Sequence, residues 1–313
     1  MQTRQWMVTH EWMVKPMQQK EWIERRGMLV WIAEVFTSLG AGLYLVSLFM
    51  NNWWGMVVSW VIIMFLKVPI HILYFGQPLR FFRTLPPFSD AWKRSWFARG
   101  ILFTVLFSTF SFVHMVIRNP YFDFAPYLGA AEAPLYWVFV VLASIFALGT
   151  GIYSGFIMNK CKTVPFWNTG ILPLVFLLAG IADGFGMIIG IGLAGGQVDI
   201  AFAETCSRIT LVINAFIIGV YLISVNFASD VASLSVRQLV VGRSAAIFWL
   251  GVIGFGIIVP LGISVSGIFT GIEASSMMLI TAIICHTIGA FALKYCLLKA
   301  GIHQPILLKV RIT

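Results

Sequence analysis

The chain has 313 residues, of which 59% are hydrophobic and only 11% are charged. Soluble domains carry about 25% charged residues, so this protein cannot build a water-facing surface and cannot fold as a soluble enzyme. The net charge of +9 does not indicate nucleic-acid binding, because a basic surplus in a membrane protein usually marks its cytoplasmic loops.

A transmembrane helix needs about 20 predominantly apolar residues, and eight such runs occur along the chain. They span residues 28–50, 54–75, 98–117, 134–158, 168–195, 205–228, 243–270 and 274–297. Short connections favour antiparallel packing of consecutive helices. We therefore predict an all-α integral membrane protein built as two four-helix bundles. The predicted domains are an N-terminal segment 1–27, bundles 28–158 and 159–297, and a C-terminal tail 298–313.

The N-terminal segment is polar and amphipathic, with Trp6, Trp12 and Trp22 among mixed charges. It contains no short apolar run ending in a small-residue cleavage site, so we do not expect a cleavable signal peptide. Two interpretations remain open. The segment either lies on the lipid headgroups or acts as an arm that grips a partner subunit.

An even number of spanning helices places both termini on one side of the membrane. That side carries 18 of the 21 Lys and Arg residues. This count includes Lys294, which lies at the end of the last helix. Arg118 and Arg208 lie on the far side, and Lys67 lies inside a helix. By the positive-inside rule, both termini are cytoplasmic and the protein is a multi-pass protein of the inner membrane.

Neither a metal nor a haem is expected in this protein. The four cysteines are scattered without a CxxC pair, which disfavours zinc or a chain-borne iron–sulfur cluster. Two b-type haems would need four membrane histidines, but only His71, His114 and His286 fall in predicted helices, at three different depths.

Ionisable residues inside a membrane are rare and often functional. Glu34, Lys67 and Tyr153 lie in the first, second and fourth predicted helices, at depths of about 9, 12 and 8 Å from the terminus side. His71 is one turn from Lys67 on the same helical face. Four polar side chains therefore fall in one layer.

This layer has two interpretations. It can form a pocket for a quinone, whose carbonyl groups need hydrogen-bond donors in one redox state and acceptors in the other. It can instead be an ion pair between Glu34 and Lys67 that fastens two helices, with Tyr153 anchored at the interface.

Asp183 lies deeper, about 22 Å from the terminus side in the fifth predicted helix, within the run GIADGFG. The flanking glycines allow close packing or water. Asp183 is either a proton-path carboxylate or a protonated side chain that is hydrogen-bonded within the bundle.

Three stretches of the sequence resemble one family. They are VFTSLGAGLYLVSLF at 35–49, FGQPLRFFRTLPPFSDAWKRSWFARG at 75–100, and GIYSGFIMNKCKTVPFWNTGILPLVFLLAGIADG at 151–184. Together they are similar to the NrfD/PsrC-like membrane subunits of polysulfide reductase and related complexes. The resemblance runs through the first five helices, and its third stretch is the most specific.

The resemblance implies a quinone-interacting membrane anchor that binds menaquinone or ubiquinone and holds no haem or metal. Such subunits dock a ferredoxin-like iron–sulfur subunit, which exchanges electrons with a large catalytic subunit that usually carries molybdopterin. The quinone-binding tyrosine of the family corresponds to Tyr153. The protein would then carry a quinone site without a catalytic cofactor of its own.

The sequence departs from the family pattern at the end of the second helix. Tyr74 stands where many relatives have His or Asp, and His71 lies one turn earlier. We predict Glu34, Lys67, His71, Tyr74 and Tyr153 as quinone-site residues.

The docking face of the family is the terminus side, which is extracytoplasmic in many relatives. Here that side is strongly basic. Either the soluble subunits of this complex are cytoplasmic, or the basic residues serve docking and override the usual positive-inside bias. The candidate docking residues are Arg80, Arg83, Trp96, Phe166 and Trp167.

Two other classes of function are possible for such a protein. A secondary transporter would use the charged residues in the membrane, but such proteins often contain inverted repeats and broken helices, and no such repeat is present. A purely structural anchor would tether soluble partners without handling quinone.

Overall fold

The computed structural model describes residues 15–84, 86–87, 89–123, 125–270 and 274–305. Within this part of the protein, eight helices are long and apolar enough to cross a membrane, as predicted. They are α1 Gly27–Phe49, α2 Trp53–Tyr74, α3 Trp96–Ile117, α4 Glu132–Asn159, α5 Leu172–Leu193, α6 Ile200–Asn226, α7 Ile247–Ile258 continued by Val259–Thr270, and α8 Ser276–Lys299. The protein is a multi-pass membrane protein.

Polar side chains at their first turns fix where several of these helices begin. Asn52 accepts a hydrogen bond from the Gly55 amide at the start of α2, and Asp199 accepts one from the Phe202 amide at the start of α6. Such caps satisfy amides that have no partner inside the helix. The Asp199 cap explains why α6 begins five residues before the predicted start.

The connections are short helices and turns. A 3₁₀ helix, Pro78–Thr84, and an α-helix, Asp90–Arg94, lie between α2 and α3. Ala125–Leu128 and Gly129–Ala131 precede α4, and Asp230–Val240 lies between α6 and α7.

Helices pack on their neighbours within each set of four consecutive helices, and α5 joins the two sets by packing on both α1 and α4. In addition to α5, α1 contacts α2, α4 and α8. Gly42 and Gly180 let the backbones of α1 and α5 touch, since a Cβ added to Gly42 would lie 1.9 Å from the Gly180 carbonyl oxygen. Large apolar side chains such as Phe65 and Phe216 point outward, 64% and 68% exposed, as expected for a lipid-facing surface.

The described parts of the two terminal segments pack together. Strands β1 Met17–Gln18 and β2 Ile302–His303 pair antiparallel. The Trp22 ring lies 5.2 Å from the Trp167 ring, and the Gln19 side-chain amide donates to the Leu298 carbonyl. From residue 15 onward, therefore, the N-terminal segment is held by the protein itself; residues 1–14 and 306–313 lie outside the described residues.

Trp167 anchors this packing, and its loss is expected to destabilise the fold. Its indole Nε1 donates to the Leu297 carbonyl at 2.8 Å, and the residue is 1% exposed. We expect Trp167→Phe to lower the free energy of unfolding by about 1–2 kcal/mol, measured by thermal unfolding in detergent. Trp137→Phe, at a site 62% exposed on α4, is the matched control. An equal effect of both substitutions would contradict this assignment.

Candidate functional site

A cavity of about 290 Å³ lies between α2 and α3 in the terminus-side half of the protein. Most of its wall is apolar, and Val105 in that wall is 39% exposed on the outer surface of the helices. Its polar side chains include Lys67, His71 and Thr104. Such a cavity combines an apolar body with a few polar groups, as ligand pockets generally do.

Lys67 supplies the positive charge in this cavity. It is 4% exposed, and its Nζ donates to Thr104 Oγ1 at 2.7 Å. The same nitrogen lies 5.4 Å from the centroid of the Tyr153 ring. Residues Ile62–Lys67 of α2 are π-helical, and such local segments are frequent at functional sites. An ammonium group has three donors, so Thr104 leaves donors available for a ligand.

His71 stands beside Lys67 in the cavity wall. Its ring stacks against Phe97 at 6.0 Å and meets the edge of Phe75 at 6.1 Å. Its Nδ1 atom is buried and has no hydrogen-bond partner in the described part of the protein. Since buried polar atoms are generally paired, this nitrogen marks a position where a ligand atom could bind.

The ion pair between Glu34 and Lys67, one of the two interpretations of the polar layer, is not formed. Lys67 turns toward α3 and donates to Thr104, while Glu34 Oε2 is buried without a hydrogen-bond partner among the described residues. Depth alone suggested the pair, but the direction in which each side chain leaves its helix decides the contact.

The two predicted tyrosines occupy different positions. Tyr153 is 1% exposed and packs closely against Gly100, where an added Cβ would lie 2.2 Å from the tyrosine ring. It stands behind Lys67 and is not part of the cavity wall described above. Tyr74 ends α2 and is half-buried, also outside that wall.

A second buried polar cluster surrounds Asp183 near the middle of α5. Asp183 Oδ1 lies 3.0 Å from His286 Nε2, within ion-pair range although the groups are not aligned as a hydrogen bond. His286 Nδ1 lies 2.9 Å from the Gly256 carbonyl oxygen.

Lys294 lies near the terminus-side end of α8, but its side chain is buried inside the protein. It is 1% exposed, and its Nζ lies 3.8 Å from the centroid of the Phe176 ring. The sequence indicated this burial only through the position of Lys294 inside the predicted helix 274–297. For His286 the only signal was its position in a helix, because its partner Asp183 is more than 100 residues away.

The predicted docking residues divide into two groups. Arg80 and Arg83 are exposed, and Trp96 is half-buried against Phe156 at 4.3 Å. Phe166 and Trp167 are 0% and 1% exposed, so they are core residues and present no surface to a partner. The connection between α4 and α5 buries these two aromatic rings and exposes other residues, such as Lys162 and Asn168.

A larger cavity of about 1030 Å³ opens on the far side, between the connections of α1–α2, α3–α4 and α5–α6. Asn52, Arg118 and Glu132 are among its polar lining residues. His114 also lines it, with Nδ1 2.8 Å from the Tyr44 hydroxyl. Its polar walls do not suit an apolar tail. Within the described part of the protein, no group of three or more His, Cys, Asp and Glu side chains could hold a metal ion.

The fold and the site define a polytopic membrane protein with charged and aromatic side chains buried near one membrane face. The model of the family described as polysulphide reductase, NrfD, matches residues 27–305. The protein belongs to this family, which confirms the resemblance inferred from the sequence.

Three curated relatives match part of the sequence. The polysulfide reductase C protein of Wolinella succinogenes is 28% identical over 51% of this protein and 52% of its own length. The NrfD homolog of Haemophilus influenzae is 24% identical over 56% and 55%. Protein NrfD of Escherichia coli is 29% identical over 38% and 40%. The matched region spans about half or less of these relatives.

Proposed function

We propose that this protein is the membrane subunit of a respiratory oxidoreductase complex, exchanging electrons between a quinone pool and an iron–sulfur subunit. The cavity between α2 and α3 is the observation that carries this proposal. Family membership supports it, because one relative is named as part of polysulfide reductase.

The cavity suits a quinone in both parts of that molecule. A quinone carries carbonyl acceptors on its headgroup and an apolar tail. Lys67 keeps ammonium donors beyond the one used by Thr104, and His71 Nδ1 is an unpartnered ring nitrogen that can donate or accept. The apolar wall, with Val105 partly exposed toward lipid, suits the tail of menaquinone or ubiquinone.

A bound quinone would supply a carrier of electrons whose oxygen atoms change protonation with redox state. Lys67 would orient a carbonyl oxygen by donating from Nζ, and His71 would hold or release a proton at Nδ1. Glu34 and Tyr153, buried close to Lys67, are proposed to exchange protons with it. Tyr74 would border the headgroup from the end of α2.

The proposed partner is a ferredoxin-like iron–sulfur subunit on the terminus side, joined to a large, molybdopterin-type catalytic subunit. Lys67 lies about 10 Å from the terminus-side end of α2. A cluster bound at that face would therefore be close to the quinone. The exposed Arg80 and Arg83 and the half-buried Trp96 are the remaining docking candidates.

We place the protein in the inner membrane with both termini cytoplasmic. With Lys294 inside the membrane, 17 of the 21 basic residues remain on the terminus side. The positive-inside rule favours this orientation. It also favours soluble partners on the cytoplasmic side, and an export signal on the partner subunits would overturn that arrangement.

Asp183 is proposed as a proton-path carboxylate. Its contact with His286 supports this role, because a carboxylate and an imidazole at 3.0 Å can exchange a proton. The alternative is a protonated Asp183 that only holds α5 against α8.

The transporter and structural-anchor alternatives make different predictions. A transporter would purify without soluble partners and without quinone. A structural anchor would copurify with partners but would leave quinone turnover independent of the cavity residues. Family membership and the apolar cavity favour the quinone proposal over both.

The direct test is to purify the tagged protein in mild detergent and identify the copurifying subunits by mass spectrometry. The complex is then labelled with a photoreactive quinone, and the labelled peptides are mapped. We expect an iron–sulfur subunit, a large catalytic subunit, and labelling on α2 and α3. A protein that purifies alone and takes up no label would contradict the proposal and favour the transporter.

Tyr153→Phe separates the quinone proposal from the structural anchor. The centroid of the tyrosine ring lies 5.4 Å from Lys67 Nζ. We expect removal of its hydroxyl to lower quinol turnover in the assembled complex by about tenfold, the cost of one lost hydrogen bond of about 1.5 kcal/mol. Tyr44→Phe, at the hydroxyl bonded to His114, is the matched control. Full quinol turnover in Tyr153→Phe would contradict the quinone proposal and favour a purely structural anchor.

A further inference from the structure

We infer that the large cavity on the far side binds the headgroup of a zwitterionic phospholipid, which carries a phosphate and a primary ammonium group. This far-side cavity of about 1030 Å³ lies between the connections of α1–α2, α3–α4 and α5–α6. Ligand pockets enclose about 300–1,000 Å³, so it has room for a headgroup and its water. Because it lies at the membrane face opposite to the cavity between α2 and α3, the inference is independent of the proposed function, and quinone turnover does not depend on it.

His114 supplies a hydrogen-bond donor in the wall of the far-side cavity. The residue is 0% exposed, and its Nδ1 lies 2.8 Å from the hydroxyl of Tyr44, which is also 0% exposed. Among the hydrogen bonds of the described residues, the Tyr44 hydroxyl has no other acceptor, so it donates to Nδ1. A neutral imidazole then carries its own hydrogen on the second nitrogen, which makes His114 Nε2 a donor.

The donor at His114 Nε2 lacks an acceptor from the protein. It is buried without a hydrogen-bond partner in the part of the chain that the structure describes, although buried polar atoms are generally paired. Since His114 lines the far-side cavity, a ligand in that cavity is the available source of the missing acceptor. A phosphate oxygen is a strong acceptor for an N–H donor.

Arg118 places a positive charge beside this donor. It follows His114 by four residues, about one helical turn, at the end of α3. The Tyr136 ring joins the two side chains, because its centroid lies 5.3 Å from the centroid of the His114 ring and 5.7 Å from Arg118 Cζ. A guanidinium group can bind phosphate through two parallel N–H donors, so His114 and Arg118 form an anion-binding end of the cavity.

Negative charges line the same cavity. Glu132, half-buried in the first turn of α4, and Asp123, in the α3–α4 connection, are both wall residues. A simple anion would be repelled by these two carboxylates, and a simple cation would leave the donors of Arg118 and His114 without an acceptor. A ligand that carries both a phosphate and an ammonium group complements both kinds of side chain.

Exposed aromatic rings in the cavity wall favour a lipid over a free solute. Trp53, Trp54 and Tyr121 contact one another edge to face, with ring centroids 5.0, 6.0 and 6.1 Å apart. Trp54 and Tyr121 are 46% and 72% exposed. Trp and Tyr are enriched at the depth of the lipid headgroups, and their ring faces attract an ammonium group. The acyl chains of the lipid would remain in the surrounding bilayer.

A headgroup bound in the far-side cavity would fasten connections that already contact one another. The Asn52 side chain donates to the Gln197 carbonyl at 3.1 Å, and Trp53 Nε1 donates to the Met115 carbonyl at 2.9 Å. These bonds join the α1–α2 connection to the α5–α6 connection and to the end of α3. A ligand that binds only the folded protein raises its stability, so the lipid is expected to stabilise the protein.

The test measures lipid binding by the purified full-length protein, with its copurifying subunits, in detergent. Native mass spectrometry counts the lipids that stay bound, and thermal unfolding is recorded with phosphatidylethanolamine or phosphatidylglycerol of the same acyl chains. We expect a single tightly bound phosphatidylethanolamine, and a larger rise in Tm with this lipid than with phosphatidylglycerol, which lacks the ammonium group. An equal rise in Tm with both lipids would overturn the zwitterionic headgroup.

Free phosphoethanolamine separates a lipid from a soluble ligand. It has the same phosphate and ammonium groups as the lipid headgroup but has no acyl chains. We expect it to raise the Tm less than phosphatidylethanolamine does at the same concentration, because the lipid is concentrated at the membrane or micelle surface. An equal rise with the free compound would overturn the assignment to a lipid.

Two variants at partly exposed positions test the two ends of the site. We expect Arg118→Gln to weaken the binding of phosphatidylethanolamine by about tenfold, the effect of one lost hydrogen bond from a charged group. Glu132→Gln is expected to reduce the preference for phosphatidylethanolamine over phosphatidylglycerol. Arg208→Gln is the matched control, because Arg208 is also on the far side but lines another pocket and donates to Ser264 at 2.9 Å. Wild-type lipid binding and preference in both Arg118→Gln and Glu132→Gln would overturn the inference.

Discussion

Gly42→Ala is expected to prevent stable folding. An added Cβ would lie 1.9 Å from the carbonyl oxygen and 2.1 Å from the carbonyl carbon of Gly180. Both are backbone atoms of α5, so no side-chain rotation relieves the clash and the helices must move apart. The same close approach exists on the other helix, where a Cβ added to Gly180 would lie 2.4 Å from the Ser38 carbonyl oxygen. Overpacking of a core costs about 1–3 kcal/mol, and a contact between two backbones lies at or above the top of that range.

The measurement is the thermal unfolding of the purified protein in detergent, together with its yield from the membrane. Gly186→Ala is the matched control, because Gly186 lies on α5, the helix that Gly42 contacts, and an added Cβ there meets no atom within 4 Å. We expect the control to be as stable as the wild type, or slightly more stable, since alanine is the better helix former. Wild-type stability of Gly42→Ala would contradict the α1–α5 contact.

Lys67→Met is expected to cause the largest loss of quinone turnover among the cavity residues. It removes the ammonium group that donates to Thr104 and faces the cavity. A hydrogen bond from a charged group contributes about 1.5–3 kcal/mol, which corresponds to about a 10- to 100-fold fall in kcat/KM. Methionine keeps most of the side-chain length and fills apolar space. The fall in kcat/KM therefore measures the loss of the positive charge and its hydrogen-bond donors.

Turnover of Lys67→Met is measured with a soluble quinol analogue in the assembled complex. Copurification of the partner subunits shows whether the variant assembles. Lys299→Met, which removes a partly exposed lysine paired with Glu24, is the control for charge loss. A kcat/KM within about twofold of wild type, a change of about 0.4 kcal/mol, would exclude Lys67 from quinone binding.

The helices were predictable because the membrane imposes a simple composition rule. A spanning segment must satisfy its own backbone and present apolar side chains to lipid, so hydropathy and length locate it. The predicted start of α5 at residue 168 lies four residues before the observed start at Leu172.

The candidate site was predictable only in part. The residue types and depths of Lys67 and His71 indicated one polar layer, and both line the cavity. The alternative interpretation of this layer, a Glu34–Lys67 ion pair, does not form, because helical depth does not determine which neighbour a side chain faces. Thr104, which accepts from Lys67, carries no signal in a single sequence, since threonine is common in membrane helices.

The sequence by itself determined the class of this protein, its eight spans and the side of the membrane on which its charges concentrate. These properties follow from the solvent, because hydrocarbon excludes exposed charge and unpaired backbone. Only the tertiary structure decided which buried charges meet. Asp183 and His286 are brought to 3.0 Å by the packing of α5 and α8, and Gly42 permits the close contact of α1 with α5. Such contacts depend on helix rotation and close packing, which no local pattern of residues encodes.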